Sequence, residues 1–179
     1  MNKLKKNLES GSFTLTAEIT PPRGADFNSL SDAAKILEPA VSAINLTDGA
    51  GAKVRMSSLA AAIYLKKINI EPILQVTCRD RNRIAIQADL LGAASFGINN
   101  VLALAGDSIE SGDDKNAKGV FDLNSKDLLK VMQKMNNEKM TLAGAQLNEN
   151  TNFFPAAADT PCDPSNEWKP DRLIEKYSS

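Results

Sequence analysis

Histidine is absent from this chain of 179 residues, and its absence limits the chemistry that the protein can perform. Without an imidazole the chain cannot build a Ser-His-Asp triad, a Cys-His pair or a histidine-ligated metal site. Acid–base chemistry must therefore come from carboxylates, lysine, tyrosine or a bound cofactor.

Cysteine is scarce, and long apolar segments are missing. Cys78 and Cys162 are the only cysteines, too few for a disulfide framework or a cysteine-based metal site, so we expect free thiols and no metal. The first ten residues carry charges but no apolar core of a secretory signal, and no run approaches about 18 uninterrupted apolar residues. We therefore expect a cytoplasmic protein with no membrane partner.

Neither sign of charge dominates the composition. The chain has 21 Lys and Arg against 22 Asp and Glu, a formal net charge of −1. It therefore lacks the strong positive field by which proteins bind nucleic acid, and we expect no such partner. Aromatic residues make up only 5% of the chain while hydrophobic residues make up 42%, which suits aliphatic helices packed against a sheet.

Short runs typical of β-strands alternate with longer runs that have helical spacing. The predicted strands cover residues 12–19, 43–47, 71–77, 100–105 and 151–158. The predicted helices begin at residue 28 or 29, 57, 81, 124 or 125, and 171, and end at residues 37, 67, 96, 136 and 177. The polar segment 106–119 is expected to have no regular structure.

This alternation predicts an α/β protein, either an open doubly wound sheet or a (β/α)8 TIM barrel. A complete barrel typically has about 250 residues and would need three more units than the five present here. The barrel interpretation therefore predicts a single domain over residues 1–179 that holds only about the first five βα units. The side chains of Leu15, Ile44, Ile73 and Leu102 would face its interior without an opposite wall.

Polar residues follow four of the predicted strands at their C-terminal ends, where α/β proteins form active sites. These segments are 18–24, 47–51, 77–82 and 105–107. The segments that enter the strands carry no comparable polar groups. This asymmetry predicts a single functional site at the C-terminal ends of the strands.

Glu18 is the strongest single candidate for chemistry. It lies among alternating apolar residues just before Pro21 and Pro22, so we expect it to be half-buried, where loss of water favours the protonated acid. A carboxyl group in that setting can act as a general acid. The residues equally allow an ordinary ion pair between Glu18 and Arg23.

Two further segments allow more than one interpretation. Gly106 and Asp107 follow an apolar strand and are typical either of an ordinary turn or of a turn that faces a flat ligand, because glycine permits close backbone approach. Segment 77–82 is one of the polar strand ends of the expected functional site, but helix capping alone would also explain its residues. The arginines at positions 79, 81 and 83 form a cation cluster that is typical of a solvated face.

Taken together, these segments resemble the methylenetetrahydrofolate reductase family of flavoprotein (β/α)8 barrels. The similarity lies in residues 13–24, 46–48, 72–107, 119–123 and 152–154. Its most specific part is an E-x-x-P-P-R strand followed by Thr-Cys-Arg-Asp-Arg-Asn and then Leu-Ala-Gly-Asp. The resemblance favours the barrel over the open sheet.

The resemblance implies FAD-dependent reduction of 5,10-methylenetetrahydrofolate to 5-methyltetrahydrofolate with NADH or NADPH, in one-carbon metabolism and methionine synthesis. It implies that Glu18 is the acid that helps open the methylene bridge, and that Asp107 is a catalytic residue beside flavin and pterin. Lys176 would meet the phosphates of the cofactor. The implied flavin contacts are Thr47, Gln75, Ala105, Gly106, Asp107 and Ala157.

The sequence also departs from the family pattern. Gln75 stands where many members have histidine, and Ala105 where some have arginine, so two implied cofactor contacts change type. The family's later segments are not found before residue 179. The chain could therefore be a non-catalytic folate- or flavin-binding subunit or an inactive fragment. We expect it to self-associate or to need a partner chain that completes the barrel.

Overall fold

The computed structural model describes residues 2–159 and 168–178, so the predicted free thiol of Cys162 lies outside the described residues. The strands are β1 (Thr16–Ile19), β2 (Ala43–Leu46), β3 (Pro72–Thr77), β4 (Asn100–Leu104) and β5 (Phe154–Ala157). The helices are α1 (Lys3–Glu9), α2 (Asn28–Leu37), α3 (Ser58–Lys67), α4 (Arg83–Ser95), α5 (Ser125–Asn137) and α6 (Asp171–Tyr177). Short 3₁₀ turns occupy Glu38–Ala40, Ala50–Ala52 and Ile109–Ser111.

The five strands form one parallel sheet in the order β1-β2-β3-β4-β5. Crossovers between parallel strands are right-handed, and this order never reverses, so α2 to α5 lie on the same face of the sheet. A doubly wound sheet would need a reversal of strand order to place helices on both faces. The topology therefore agrees with part of a (β/α)8 barrel and not with the doubly wound alternative.

The main core lies between the sheet and helices α2 to α5. Every second side chain of each strand packs into this core, because successive residues of a strand face opposite sides of the sheet. On β2 these are Ile44 and Leu46, both fully buried. The expectation that Ile44 faces the barrel interior is therefore wrong, since Ala43 and Asn45 take that side.

Helix α1 covers part of the opposite face, near the N-terminal ends of the strands. Its residue Leu4 is buried with Ala43 and Ile73, and Leu102 packs against this group. Ile73 and Leu102 therefore have a partial cover that the sequence did not predict. The helix escaped prediction because it buries only one side chain of its own.

Several predicted boundaries move by a few residues. The predicted first strand begins four positions later, at Thr16, and Leu15 is exposed just before it. Helix α4 begins at Arg83 because the side chain of Asn82 accepts hydrogen bonds from the next backbone N–H groups and caps it. Strand β5 begins at Phe154, not at residue 151.

The described residues include no helix with the length and apolar character needed to cross a membrane.

Candidate functional site at the sheet edge

Glu18, Asn45 and Gln75 form an amide–carboxylate cluster on the sheet face opposite α2 to α5. Glu18 on β1 is the register partner of Asn45 on β2, and Asn45 Nδ2 donates a hydrogen bond to Glu18 Oε2 at 3.2 Å. Gln75 Nε2, from β3, donates to the same oxygen at 2.9 Å. Three strands thus hold one carboxylate, and both bonds leave Oε1 free of amide partners.

The surroundings of Glu18 differ from both sequence-based expectations. The residue is exposed, because β1 is an outer strand of the described sheet and no element covers its side chain. The expected half-burial is therefore wrong. The alternative ion pair is wrong as well, since Arg23 donates to Asp113 at 2.6 Å.

The C-terminal end of β2 presents buried polar atoms without partners. Thr47 is only 4% exposed, and its Oγ1 forms no hydrogen bond with the described residues. The same holds for Asn45 Oδ1. A buried polar atom left unpaired costs about 1–3 kcal/mol, so both atoms are suited to contact a ligand.

Gly106 and Asp107 are tied to the neighbouring strand ends. Gly106 has φ +96°, and a Cβ atom there would lie 2.8 Å from Arg79 Cβ and 3.2 Å from Thr77 Cβ. Only glycine therefore lets this turn approach the end of β3 so closely. Asp107 is exposed, and its Oδ2 accepts a hydrogen bond from the Gly51 N–H at 2.7 Å.

Ala105, Ala157 and Lys176 lie at the ends of β4 and β5. Ala105 and Lys176 line a cavity of about 330 Å³, and Ala157 lines a neighbouring one of about 480 Å³ that also includes Lys176. Lys176 Nζ donates to Ala158 O at 2.7 Å and to Asp159 Oδ1 at 3.0 Å. Lys176 thus lines both cavities, whereas Ala105 lies beside the Gly106 turn and Ala157 packs against the main core on the helix side of the sheet.

Asp48 is a site residue that the sequence analysis did not single out within the polar segment 47–51. It is 9% exposed and accepts hydrogen bonds from Thr77 N at 2.9 Å, Thr77 Oγ1 at 3.0 Å and Ser58 Oγ at 3.2 Å. It also forms an ion pair with Arg81. This carboxylate fastens the end of β2 to the end of β3 and to the start of α3. An aspartate directly after a buried strand was the available signal.

The expectation of a solvated arginine cluster is wrong for two of its three members. Arg79 is 2% exposed, and its Nε and Nη2 donate to the two carboxylate oxygens of Asp80, each at 2.8 Å. Hydrogen bonding to Asp80 raises the pKa of Arg79 above its usual value. Arg81 is partly buried through its ion pairs, whereas Arg83 is exposed as expected.

A comparison with protein-family models identifies a family. The family model described as methylenetetrahydrofolate reductase matches residues 3–173, which include every predicted site residue except Lys176. A search of curated proteins found no match. Members of this family are oxidoreductases of folate one-carbon metabolism and are generally flavoproteins. Because the match spans most of its length and confirms the sequence resemblance, the chain belongs to the methylenetetrahydrofolate reductase family.

Proposed function

We propose that this chain catalyses the flavin-dependent reduction of 5,10-methylenetetrahydrofolate to 5-methyltetrahydrofolate, with NADH or NADPH as the electron source. This reaction would serve one-carbon metabolism and methionine synthesis. Membership of the family supports a reductase of this type. The single observation that carries the proposal is the Glu18 carboxylate, held by Asn45 and Gln75 on an open face of the sheet.

The residues at the sheet edge suit FAD. The unpaired Thr47 Oγ1 can bond a polar atom of the cofactor, and the Gly106 turn presents backbone without a side chain beside the end of β3. The Lys176 ammonium group lines a cavity in which it would meet phosphates. When bound, FAD supplies the hydride chemistry. We assign cofactor contacts to Thr47, Gln75, Ala105, Gly106, Asp107, Ala157 and Lys176.

Glu18 is proposed to hold and deliver the proton that helps open the methylene bridge. Both amide donors bind Oε2, so Oε1 is the oxygen that can carry this proton toward the substrate. Asn45 and Gln75 therefore fix the direction of the side chain.

Asp107 is proposed to orient the pterin. Its Oδ2 is held by the Gly51 N–H, while a carboxylate has further acceptor capacity on its other oxygen. The N–H groups of a pterin are suitable donors to that oxygen. The aspartate would thus position the substrate relative to Glu18 without taking part in the proton transfer.

The test measures flavin binding, folate binding and the nicotinamide half-reaction with the purified chain. FAD is added, bound flavin is measured by absorbance after gel filtration, and NADH or NADPH oxidation is followed with a quinone acceptor. We expect about one flavin per chain and flavin-dependent oxidation of the nicotinamide. Flavin or folate binding without turnover would favour the non-catalytic subunit, and a chain that binds neither would contradict both functions.

We also infer that the chain self-associates or pairs with a partner that extends its sheet. Within the described sheet, β1 and β5 each have one neighbouring strand. Unpaired strand edges favour pairing with another chain. Sedimentation velocity with and without FAD tests this inference, and a compact monomer under both conditions would contradict it.

A further inference from the structure

A separate cavity of about 300 Å³ lies between the loop after β2, the loop after β3 and the segment after β4. Lys53 and Arg55 line it from the first loop, and Arg79 and Arg81 line it from the second. One water molecule takes about 30 Å³ in the liquid. The cavity therefore has room for a small ligand, or for one group of a larger ligand.

Three of these basic side chains carry buried N–H groups without an acceptor. The nitrogen atoms are Arg55 Nε, Arg79 Nη1 and Arg81 Nε, none of which bonds to the described residues. Unpaired buried donors are costly, and more so on a charged group. All three belong to guanidinium cations around one cavity. The partner that satisfies several such donors together is an anion with several acceptor oxygens.

Two of the acidic residues that line the cavity already form ion pairs with its arginines. Asp80 accepts both hydrogen bonds of the Arg79 fork. Asp48 forms an ion pair with Arg81 and accepts further bonds from Thr77. The arginines therefore neutralise much of the negative charge of Asp48 and Asp80, which weakens the repulsion between these carboxylates and a bound anion.

Lys53 and Arg55 supply charge that is not offset in this way. Neither residue forms an ion pair across residues 2–159 and 168–178. The third acid of the wall, Asp114, has one oxygen bonded to a backbone N–H of its own loop. Ser57, at the start of α3, also lines the cavity, so the positive end of this ten-residue helix adds to the potential. The cavity is electrostatically suited to an anion.

We propose that this cavity binds an oxyanion, either a phosphate group or a carboxylate, through Lys53, Arg55 and Arg79. The cavity is lined by none of the residues assigned above to catalysis or to FAD. It adjoins them through the loop whose Gly51 N–H bonds Asp107. The proposal rests on the cavity and its donors, and it stands independently of the reductase activity.

The test measures binding of two probes to the purified chain without flavin. Inorganic phosphate represents the phosphate source, and succinate represents the carboxylate source, each titrated by calorimetry. We expect saturable one-site binding of at least one probe. In the Lys53→Gln, Arg55→Gln double variant we expect affinity to fall about 10- to 100-fold, as for loss of charge-assisted hydrogen bonds.

Lys67→Gln is the matched control, because Lys67 is an exposed lysine at the far end of α3. It should leave the affinity unchanged. A second measurement follows the Nε–H NMR signal of Arg55, which should shift as the bound probe approaches saturation. If only one probe binds, the result shows whether the cavity selects a phosphate group or a carboxylate. No saturable binding, an unaffected double variant, or an equal loss in the control would overturn the proposal.

Discussion

Gln75 on β3 donates a hydrogen bond at 2.9 Å to Glu18 on β1, although β2 lies between these strands. Neighbouring strands are about 4.8 Å apart, so the two side chains must reach over the intervening strand to meet. Asn45 on that strand donates to the same carboxylate oxygen. The position of the proposed acid therefore depends on three strands at once.

The substitution Glu18→Gln should separate the two half-reactions of the proposed enzyme. Glutamine keeps the size of the side chain but cannot donate the proton, so reduction of the folate should fall about 10²- to 10⁴-fold. Reduction of bound flavin by NADH or NADPH needs no proton from this residue and should change little. Stopped-flow absorbance of the flavin measures both steps.

The control for this prediction is the flavin content of the variant, which should equal that of the original chain. If both half-reactions lose the same factor, Glu18 supports the architecture of the site and is not the acid.

Gly106→Ala should destabilise the protein. The new methyl group would meet Arg79 Cβ at 2.8 Å, on a backbone with φ +96°, and the combined strain and overpacking should cost about 2–4 kcal/mol. Urea unfolding followed by circular dichroism measures the loss. Gly24→Ala is the matched control, since a Cβ atom there would lie 4.0 Å from the backbone N of Asp26. A similar loss in both variants would refute the steric explanation.

Asp48→Asn should also reduce the free energy of unfolding, by about 3 kcal/mol. The variant leaves the Arg81 guanidinium without one of its two carboxylates, although Asp89 remains at 3.0 Å. Chemical denaturation at neutral pH measures the change. The exposed helix residue Asp32 supplies the comparison as Asp32→Asn, which should stay within about 0.5 kcal/mol of the original chain.

Stability should depend on pH through Asp122. Hydrogen bonds from Arg83 lower the pKa of Asp122 to about 2, whereas an unfolded aspartate titrates near about 3.9. The ionised carboxylate therefore favours the folded state, a contribution complete above about pH 4 and lost as the pH falls toward 2. The unfolding free energies of the original chain and of Asp122→Asn should converge over that range. A constant difference would contradict the assignment.

The thiol of Cys78 should be unreactive in the folded protein. Burial raises its pKa to about 11, against a smaller opposing effect of Arg81, so only about one thiol in a thousand is ionised at pH 8. In a Cys162→Ser variant, we expect Ellman's reagent to react slowly before denaturation and rapidly after it. Fast reaction of the folded chain would show that the thiol is accessible and ionised.

Local sequence signals predicted most of the secondary structure. Helical spacing placed α3 and α6 within a residue of their observed bounds, and buried apolar runs marked β3 and β4. The strand at residues 12–19 was predicted too long because its alternating pattern continues before the first residue that pairs with β2. Pattern alone does not show where a neighbouring strand begins.

The sequence by itself determined the alternation of five strands with helices, the polar edge of the sheet and the identity of Glu18, Gly106 and Asp107 as candidates. Only the tertiary structure decided that Glu18 is exposed and bonded to two amides, that Arg79 is buried, and that α1 covers part of the face opposite α2 to α5. The reason is physical. Periodicity depends on neighbours along the chain, whereas exposure and pairing depend on the register of strands that are distant in sequence.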